Sequence, residues 1–158
     1  MRYFVFISLL SIRMVFAQAP NSFTDFAFRD LNQEVVESDE IRKGKVLLFK
    51  IGQLSCPVCT LVLEQLGKLD QEYAARGVVF LDISLDDDVE ALRAHAKAHD
   101  VDFSTLMDER GDLASWFGVS TIPVTVVVDR KGVITDYVVG DLSEVQIRKM
   151  LDTALAMP

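Results

Sequence analysis

The cysteines Cys56 and Cys59 stand where a strand pattern gives way to a helix pattern, and this junction constrains the fold more than any other feature of the chain. Residues 46–51 are almost entirely apolar, which is typical of a buried strand. Beyond Cys59, apolar side chains recur at helical spacing as far as Gly77, a residue suited to end a helix. The chain therefore passes from a core strand into a helix through a short loop that carries both cysteines.

Strand-like and helix-like segments continue to alternate along the rest of the chain, with no repeat or low-complexity linker after residue 20. Strands are predicted over residues 78–83, 124–128 and 133–139, helices over residues 89–100, 111–117 and from Ser143 onward, and a hairpin over residues 26–36. A length of 158 residues suits one domain with a single core. These elements predict an α/β fold with a central mixed β-sheet flanked by helices and an N-terminal β-hairpin extension.

The N-terminal segment differs in composition from the rest of the chain. Residues 3–12 form an apolar run interrupted only by two serines, with a basic residue before it and small residues after it. This pattern is typical of a secretory signal peptide, and we place its end at Ala17. The alternative is an uncleaved membrane anchor, although Arg13 ends the run well short of the about 20 apolar residues that span a bilayer. The prediction is a signal peptide over residues 1–17 and a folded domain over residues 18–158.

Charge and cysteine content limit the partners and the role of the cysteine pair. A formal net charge of −8 argues against nucleic acid or an anionic membrane surface as the main partner. An exported protein that needed covalent cross-links would carry several cysteine pairs, whereas this chain has only two cysteines. A disulfide between Cys56 and Cys59 closes almost no loop and would add little stability. The pair therefore favours redox chemistry over cross-linking.

The start of a helix is a favourable place for a reactive thiolate. Unpaired N–H groups and the positive end of the helix dipole stabilise the charge, so Cys56 is predicted to attack and Cys59 to resolve the mixed disulfide. Pro57 suits the first helical turn, where its missing N–H would be unpaired anyway, and it stiffens the geometry of the two sulfurs. The alternative is that the CxxC pair forms half of a zinc site.

Only His95 and His99 could complete such a zinc site. They share a helix face at the spacing of a metal-binding pair, but they are far from Cys59 in sequence, and the second helix need not approach the start of the first. A solvated helix face beside Arg93 and Lys97 is the favoured interpretation, so no metal ligand is predicted.

A proline directly before a predicted strand completes the pattern, in the segment Ser120-Thr121-Ile122-Pro123. Proline at this place is unusual. Together with the strand–CxxC–helix order, it makes the chain resemble the thioredoxin family, and in particular its exported TlpA/ResA-like branch. The resemblance covers residues 23–156 and rests on the order and spacing of residues 43–48, 77–84, 117–123 and 127–134.

The resemblance implies a thioredoxin-like fold and a role for each matching residue. Cys56 matches the nucleophile, Cys59 the resolving thiol and Pro123 a cis-proline. Ile122 matches the position whose backbone faces the substrate, and Pro57 and Val58 are the dipeptide that influences the redox potential. No cofactor is implied besides the redox-active disulfide.

Four residues depart from the family or stand near its site. Ser55 replaces the usual tryptophan before the first cysteine, and Lys50 replaces the buried aspartate of thioredoxins. The ammonium of Lys50 could either extend to water or tune the thiols. Asp86 is expected to be a solvated helix cap rather than a base. Trp116 is expected to lie in the core.

These observations predict an exported thiol-disulfide oxidoreductase of the bacterial periplasm. Pro57 and Val58 lack the histidine of strong oxidants, and Ile122 resembles reducing thioredoxins, which favours a reductant of protein disulfides. Such a protein needs an electron donor, such as a membrane thiol transporter, and the resemblance implies apocytochrome thiols as substrates.

Two alternatives remain. A thiol peroxidase of the peroxiredoxin (AhpC/TSA) class normally has a proline and a threonine upstream of its cysteine, and residues 50–55 contain neither. A copper-handling thioredoxin-like protein normally has three residues between its cysteines, and this chain has Pro57 and Val58 only.

Overall fold

The computed structural model describes residues 22–158, so the signal peptide predicted over residues 1–17 lies outside the described residues. The strands are β1 (Ala27–Asp30), β2 (Val35–Glu37), β3 (Val46–Gly52), β4 (Val78–Ser84), β5 (Ser104–Met107), β6 (Val124–Val128) and β7 (Ile134–Val139). The helices are α1 (Ser38–Arg42), α2 (Pro57–Ala74), α3 (Val89–Ala98), α4 (Asp112–Trp116) and α5 (Glu144–Ala156). Within the described residues, no helix is both long enough and apolar enough to cross a membrane.

The seven strands form one mixed sheet in the order β2-β1-β5-β4-β3-β6-β7. Strands β3, β4 and β5 are parallel, and β6 pairs antiparallel with β3. The predicted hairpin of β1 and β2 is present and joins the sheet through β5. The α/β class, the mixed sheet and the N-terminal hairpin are therefore confirmed.

Side chains that alternate along the buried strands build one core on each face of the sheet. Helices α2 and α5 cover the face that carries Leu48 and Phe80. Helix α4 and the phenylalanines of the N-terminal segment cover the face that carries Phe49 and Leu81. Strand β3 is buried along its whole length, because it lies in the interior of the sheet with a layer on each side. The residues that follow it are thereby held on a rigid support.

Two short elements, α1 and β5, were not predicted from the sequence. Helix α1 spans five residues, too few for a periodic pattern. Strand β5 spans four residues and contains Ser104 and Thr105, so it lacks a continuous apolar run. The capping box expected at the start of α5 is present between Ser143 and Gln146.

Candidate active site

The two cysteines lie where β3 leads into α2. Cys56 is the N-cap residue of α2, its Sγ accepts the backbone N–H of Cys59 at 3.1 Å, and Pro57 is the first helical residue. The two sulfurs are joined in a disulfide of 2.17 Å. Cys56 is partly exposed, whereas Cys59 is only 1% exposed. A partner can therefore reach the first sulfur, while the second lies behind it.

The loop between β3 and α2 is held by the end of the neighbouring parallel strand. The carboxylate of Asp86, just after β4, accepts the backbone N–H of Leu54 at 2.7 Å and the hydroxyl of Ser84 at 2.9 Å. The expectation that Asp86 is a solvated cap is wrong, because Asp88 caps α3 by accepting the N–H of Ala91. Sequence reasoning missed this brace, although parallel strands that end at one edge bring their following loops together.

Replacing Asp86 by alanine tests the brace. We expect the free energy of unfolding to fall by about 2 kcal/mol, because two hydrogen bonds to a carboxylate are lost and the N–H of Leu54 is left without a partner. Urea unfolding of the oxidised protein measures the change. Asp87→Ala is the matched control, because Asp87 is the exposed neighbour, and we expect a change below about 0.5 kcal/mol. Equal stabilities of the two variants would show that the Asp86 contacts contribute nothing.

Gly52, the last residue of β3, lies close to the buried cysteine. A Cβ added here would lie 2.9 Å from Cys59 Sγ and 3.1 Å from Lys50 Nζ. Only a glycine therefore lets strand and helix come this close without displacing either neighbour.

Lys50 lies inside the protein beside the cysteines. It is 4% exposed, and its Nζ contacts Asp82 Oδ1 on β4 at 2.7 Å. The interpretation in which its ammonium extends to water is therefore wrong. Among residues 22–158, Asp82 Oδ1 has no partner besides this ammonium, and Thr125 Oγ1 on β6 has none. Lys50 pairs in register with both residues, which places the three in one row across the sheet.

The Ile122–Pro123 peptide bond is cis, as expected. Ile51 on β3 pairs with Val124, so Gly52 and Pro123 come next at the same end of the two paired strands. The carbonyl oxygen of Pro123 accepts the N–H of Gly140. Within residues 22–158, the N–H and carbonyl oxygen of Ile122 form no backbone hydrogen bond.

Two apolar side chains near the start of α2 are exposed. Val58 is 38% exposed and Leu61 is 51% exposed. Trp116 was expected in the core, but it is 40% exposed on α4, with its ring against Phe117. Helix α4 is too short for a periodic pattern in the sequence to show which of its side chains are exposed.

The two histidines lie on α3, and this helix does approach the start of α2. His95 Nε2 is 3.4 Å from the hydroxyl of Thr60, and His99 Nδ1 is 2.8 Å from Glu64 Oε1. Both rings are half-buried rather than solvated. Burial lowers the pKa of His95, and the positive charge of Lys50 and the neighbouring His99 act in the same direction. Over the described part of the chain, no three His, Cys, Asp or Glu side chains are placed to hold a metal ion.

The chain is similar in sequence to known thioredoxin-like proteins. Residues 19–137 match the model of the AhpC/TSA family. The chain is 32% identical over 137 residues to the thioredoxin-like protein YneN of Bacillus subtilis, a match that covers 85% of this chain and 77% of that protein. It is 23% identical over 134 residues to the thiol-disulfide oxidoreductase ResA of Bacillus thuringiensis subsp. konkukian, covering 85% and 75% of the two chains.

A similar fold occurs in the crystal structure of a putative thiol:disulfide interchange protein DsbE from Chlorobium tepidum. Its TM-score is 0.78 at 19% identity, over 88% of this chain and 99% of that one. The expected thioredoxin-like fold is confirmed by this likeness.

Proposed function

The chain belongs to the AhpC/TSA family of thioredoxin-like proteins, and we propose that it is an extracytoplasmic thiol-disulfide oxidoreductase that reduces protein disulfides. The observation that carries the proposal is the position of the cysteine pair. A partly exposed Cys56 caps helix α2, and a buried Cys59 lies within disulfide distance behind it.

The proposed reaction is an exchange of two electrons between the cysteine pair and a protein disulfide. The Cys56 thiolate, stabilised by the N-terminus of α2, attacks one sulfur of the substrate disulfide, and the other substrate sulfur leaves as a thiolate. Cys59 then attacks Cys56 and releases the second substrate thiol. The substrate ends reduced, and the protein ends with the Cys56–Cys59 disulfide.

Substrate binding is proposed at Ile122 and Pro123. The free N–H and carbonyl oxygen of Ile122 can pair with an extended substrate backbone, as in the addition of a strand to a sheet edge. Val58 offers an apolar surface beside Cys56. Recognition through backbone groups favours protein disulfides of varied sequence.

The direction and the location of the reaction are further parts of the proposal. Pro57 and Val58 supply no charge beside Cys56, which favours a reducing couple. The charge on Lys50 acts the other way, since it lies near Cys59. In an oxidising compartment such as the bacterial periplasm, a reductant must be recharged by an electron donor, such as a membrane thiol transporter. Apocytochrome thiols are proposed as one substrate class.

Insulin reduction and equilibration with glutathione buffers test the proposal. We expect the reduced protein to cleave the insulin disulfides, and we expect a potential nearer to the about −270 mV of thioredoxin than to the about −120 mV of DsbA. A potential above about −150 mV would overturn the assignment as a reductant and favour an oxidase or isomerase. Failure to reduce insulin at any potential would overturn the proposed function itself.

Peroxide reduction is kept as a second candidate function because the matching family model is AhpC/TSA. In that reaction the Cys56 thiolate would attack one peroxide oxygen and become a sulfenic acid, while the other oxygen leaves as water. The Cys59 thiol would then displace the sulfenic oxygen as a second water and form the disulfide. Thiol loss in equimolar hydrogen peroxide separates the candidates. We expect loss at the rate of an ordinary free thiol, and a much faster reaction would favour the peroxidase.

A further inference from the structure

The burial of Lys50 is not explained by stability. Its ammonium is removed from water on the central strand β3, and its one ion-pair partner among residues 22–158 is Asp82. Removing two charges from water costs several kcal/mol for each, and replacing such a pair by apolar side chains is often neutral or stabilising. A pair that stabilises the fold so little suggests a role in the neighbouring chemistry.

The ammonium of Lys50 has hydrogen-bonding capacity left over. A lysine ammonium carries three N–H donors. Asp82 lies at 2.7 Å on one side, and no hydrogen bond connects Nζ to any other residue in the described part of the chain. Thr125 Oγ1, in the same row across the sheet, also lacks a partner among the residues that the structure describes. The cation is therefore neutralised on one side only.

The ammonium of Lys50 lies close to Cys59. Lys50 Nζ and Cys59 Sγ lie 3.1 Å and 2.9 Å from one point, the position of a Cβ on Gly52. The two atoms are thus within about 6 Å of each other, a distance at which an opposite charge stabilises an ionised group. A cation this close to the sulfur favours the thiolate form of Cys59.

We propose that Lys50, held by Asp82, stabilises the Cys59 thiolate and so accelerates the step in which Cys59 resolves the mixed disulfide. The proposal rests on the proposed function, because it concerns the second half of the same exchange. Lys50 acts through Cys59 and is a positioning residue.

The step balances without proton transfer to Lys50. In the mixed disulfide, Cys56 is bonded to a substrate sulfur and Cys59 is a thiol. The Cys59 proton passes to solvent, and its thiolate attacks Cys56 Sγ. The Cys56–Cys59 bond forms as the bond to the substrate sulfur breaks, and the leaving sulfur keeps the electron pair and takes a proton from solvent. The ammonium lowers the free energy of the first of these events, the formation of the Cys59 thiolate.

The disulfide reagent 5,5′-dithiobis(2-nitrobenzoate) separates the two halves of the exchange. The first thionitrobenzoate is released by attack of Cys56, and the second is released when Cys59 resolves the mixed disulfide. Two double variants bear on Lys50. Lys50→Met with Asp82→Leu removes the pair, and Lys50→Asp with Asp82→Lys keeps the pair but reverses it.

We expect the second release to slow about threefold when the pair is removed and about tenfold when it is reversed. A pKa change of about one unit alters the thiolate fraction tenfold, and a compensating change in nucleophilicity leaves roughly threefold. The first release should change less. A purely structural pair would change the stability of the protein and both releases together, rather than the second release alone.

A pH profile of the second release adds an independent measurement, and its midpoint should rise in both variants. The other titratable groups beside the site are Asp86 after β4, His95 on α3 and Cys56 itself. Burial lowers the pKa of His95, which moves the titration of this ring away from that of the thiol. Lys68→Met, which removes an exposed cation from α2, is the matched control and should leave both releases unchanged.

The outcomes distinguish this inference from the function on which it rests. Release of only one thionitrobenzoate by the unmodified protein would overturn the paired-thiol chemistry itself. Two releases by the unmodified protein, with a second step unchanged when the pair is removed, would overturn the role of Lys50 alone. If the reversed pair fails to fold, removal of the pair still decides the outcome.

Discussion

Replacing Cys56 by serine should abolish insulin reduction, the largest loss expected from any single substitution in this protein. A serine hydroxyl is not ionised at neutral pH and cannot attack a disulfide, and Cys59 is only 1% exposed and cannot meet a protein substrate. The measurement is insulin precipitation with dithiothreitol as the electron source, compared with dithiothreitol alone. We expect the rate to fall to that of the reagent.

Replacing Cys59 by serine is the informative companion to the Cys56 variant. Cys56 remains able to attack, but the resolving thiol is gone, so a mixed disulfide with the substrate should accumulate and be visible on a non-reducing gel. Ser55→Ala serves as the control, because Ser55 is an exposed neighbour whose hydroxyl contacts only Gln53 among the described residues. Full reductase activity of the Cys56→Ser protein would show that the nucleophile is assigned wrongly.

The parts of the site that sequence could predict are local in the chain. The strand pattern before Cys56 and the helical spacing after Cys59 lie close to the cysteines in the sequence. The N-terminus of a helix stabilises a thiolate wherever the helix packs in the fold. The cis bond before Pro123 was also expected, on the resemblance to the thioredoxin family. Neither expectation required knowledge of which strands are neighbours.

The parts that sequence missed depend on strand register and on packing between distant elements. Lys50 meets Asp82 because β3 and β4 are parallel and in a particular register, and a shift of one residue would separate them. Asp86 reaches Leu54 for the same reason. For a lysine in an apolar strand, the sequence does not show whether the ammonium is buried beside a partner or extends to water. Pairing across the sheet decides between them.

Gly52→Ala should disturb the site more than any other substitution outside the cysteines. The new Cβ would lie 2.9 Å from Cys59 Sγ, 3.1 Å from Cys59 Cβ and 3.1 Å from Lys50 Nζ, so the first turn of α2 or the buried ammonium must move. Overpacking of this kind costs about 1–3 kcal/mol, and a displacement of about 1 Å at a reacting group can reduce a rate about a hundredfold. Urea unfolding and the two thionitrobenzoate releases measure both effects.

The second release should suffer more than the first in Gly52→Ala, because the added methyl group meets Cys59 and Lys50 rather than the partly exposed Cys56. Gly67→Ala is the matched control on the same helix. Its Cβ would lie 3.3 Å from the carbonyl oxygen of Asp100 and away from the cysteines, and the gain of about 1 kcal/mol in helix propensity offsets that tight contact. Its release rates should equal those of the unmodified protein. Unchanged stability and unchanged second release in Gly52→Ala would mean that the close approach of β3 to Cys59 does not limit the chemistry, because the helix then adjusts without cost.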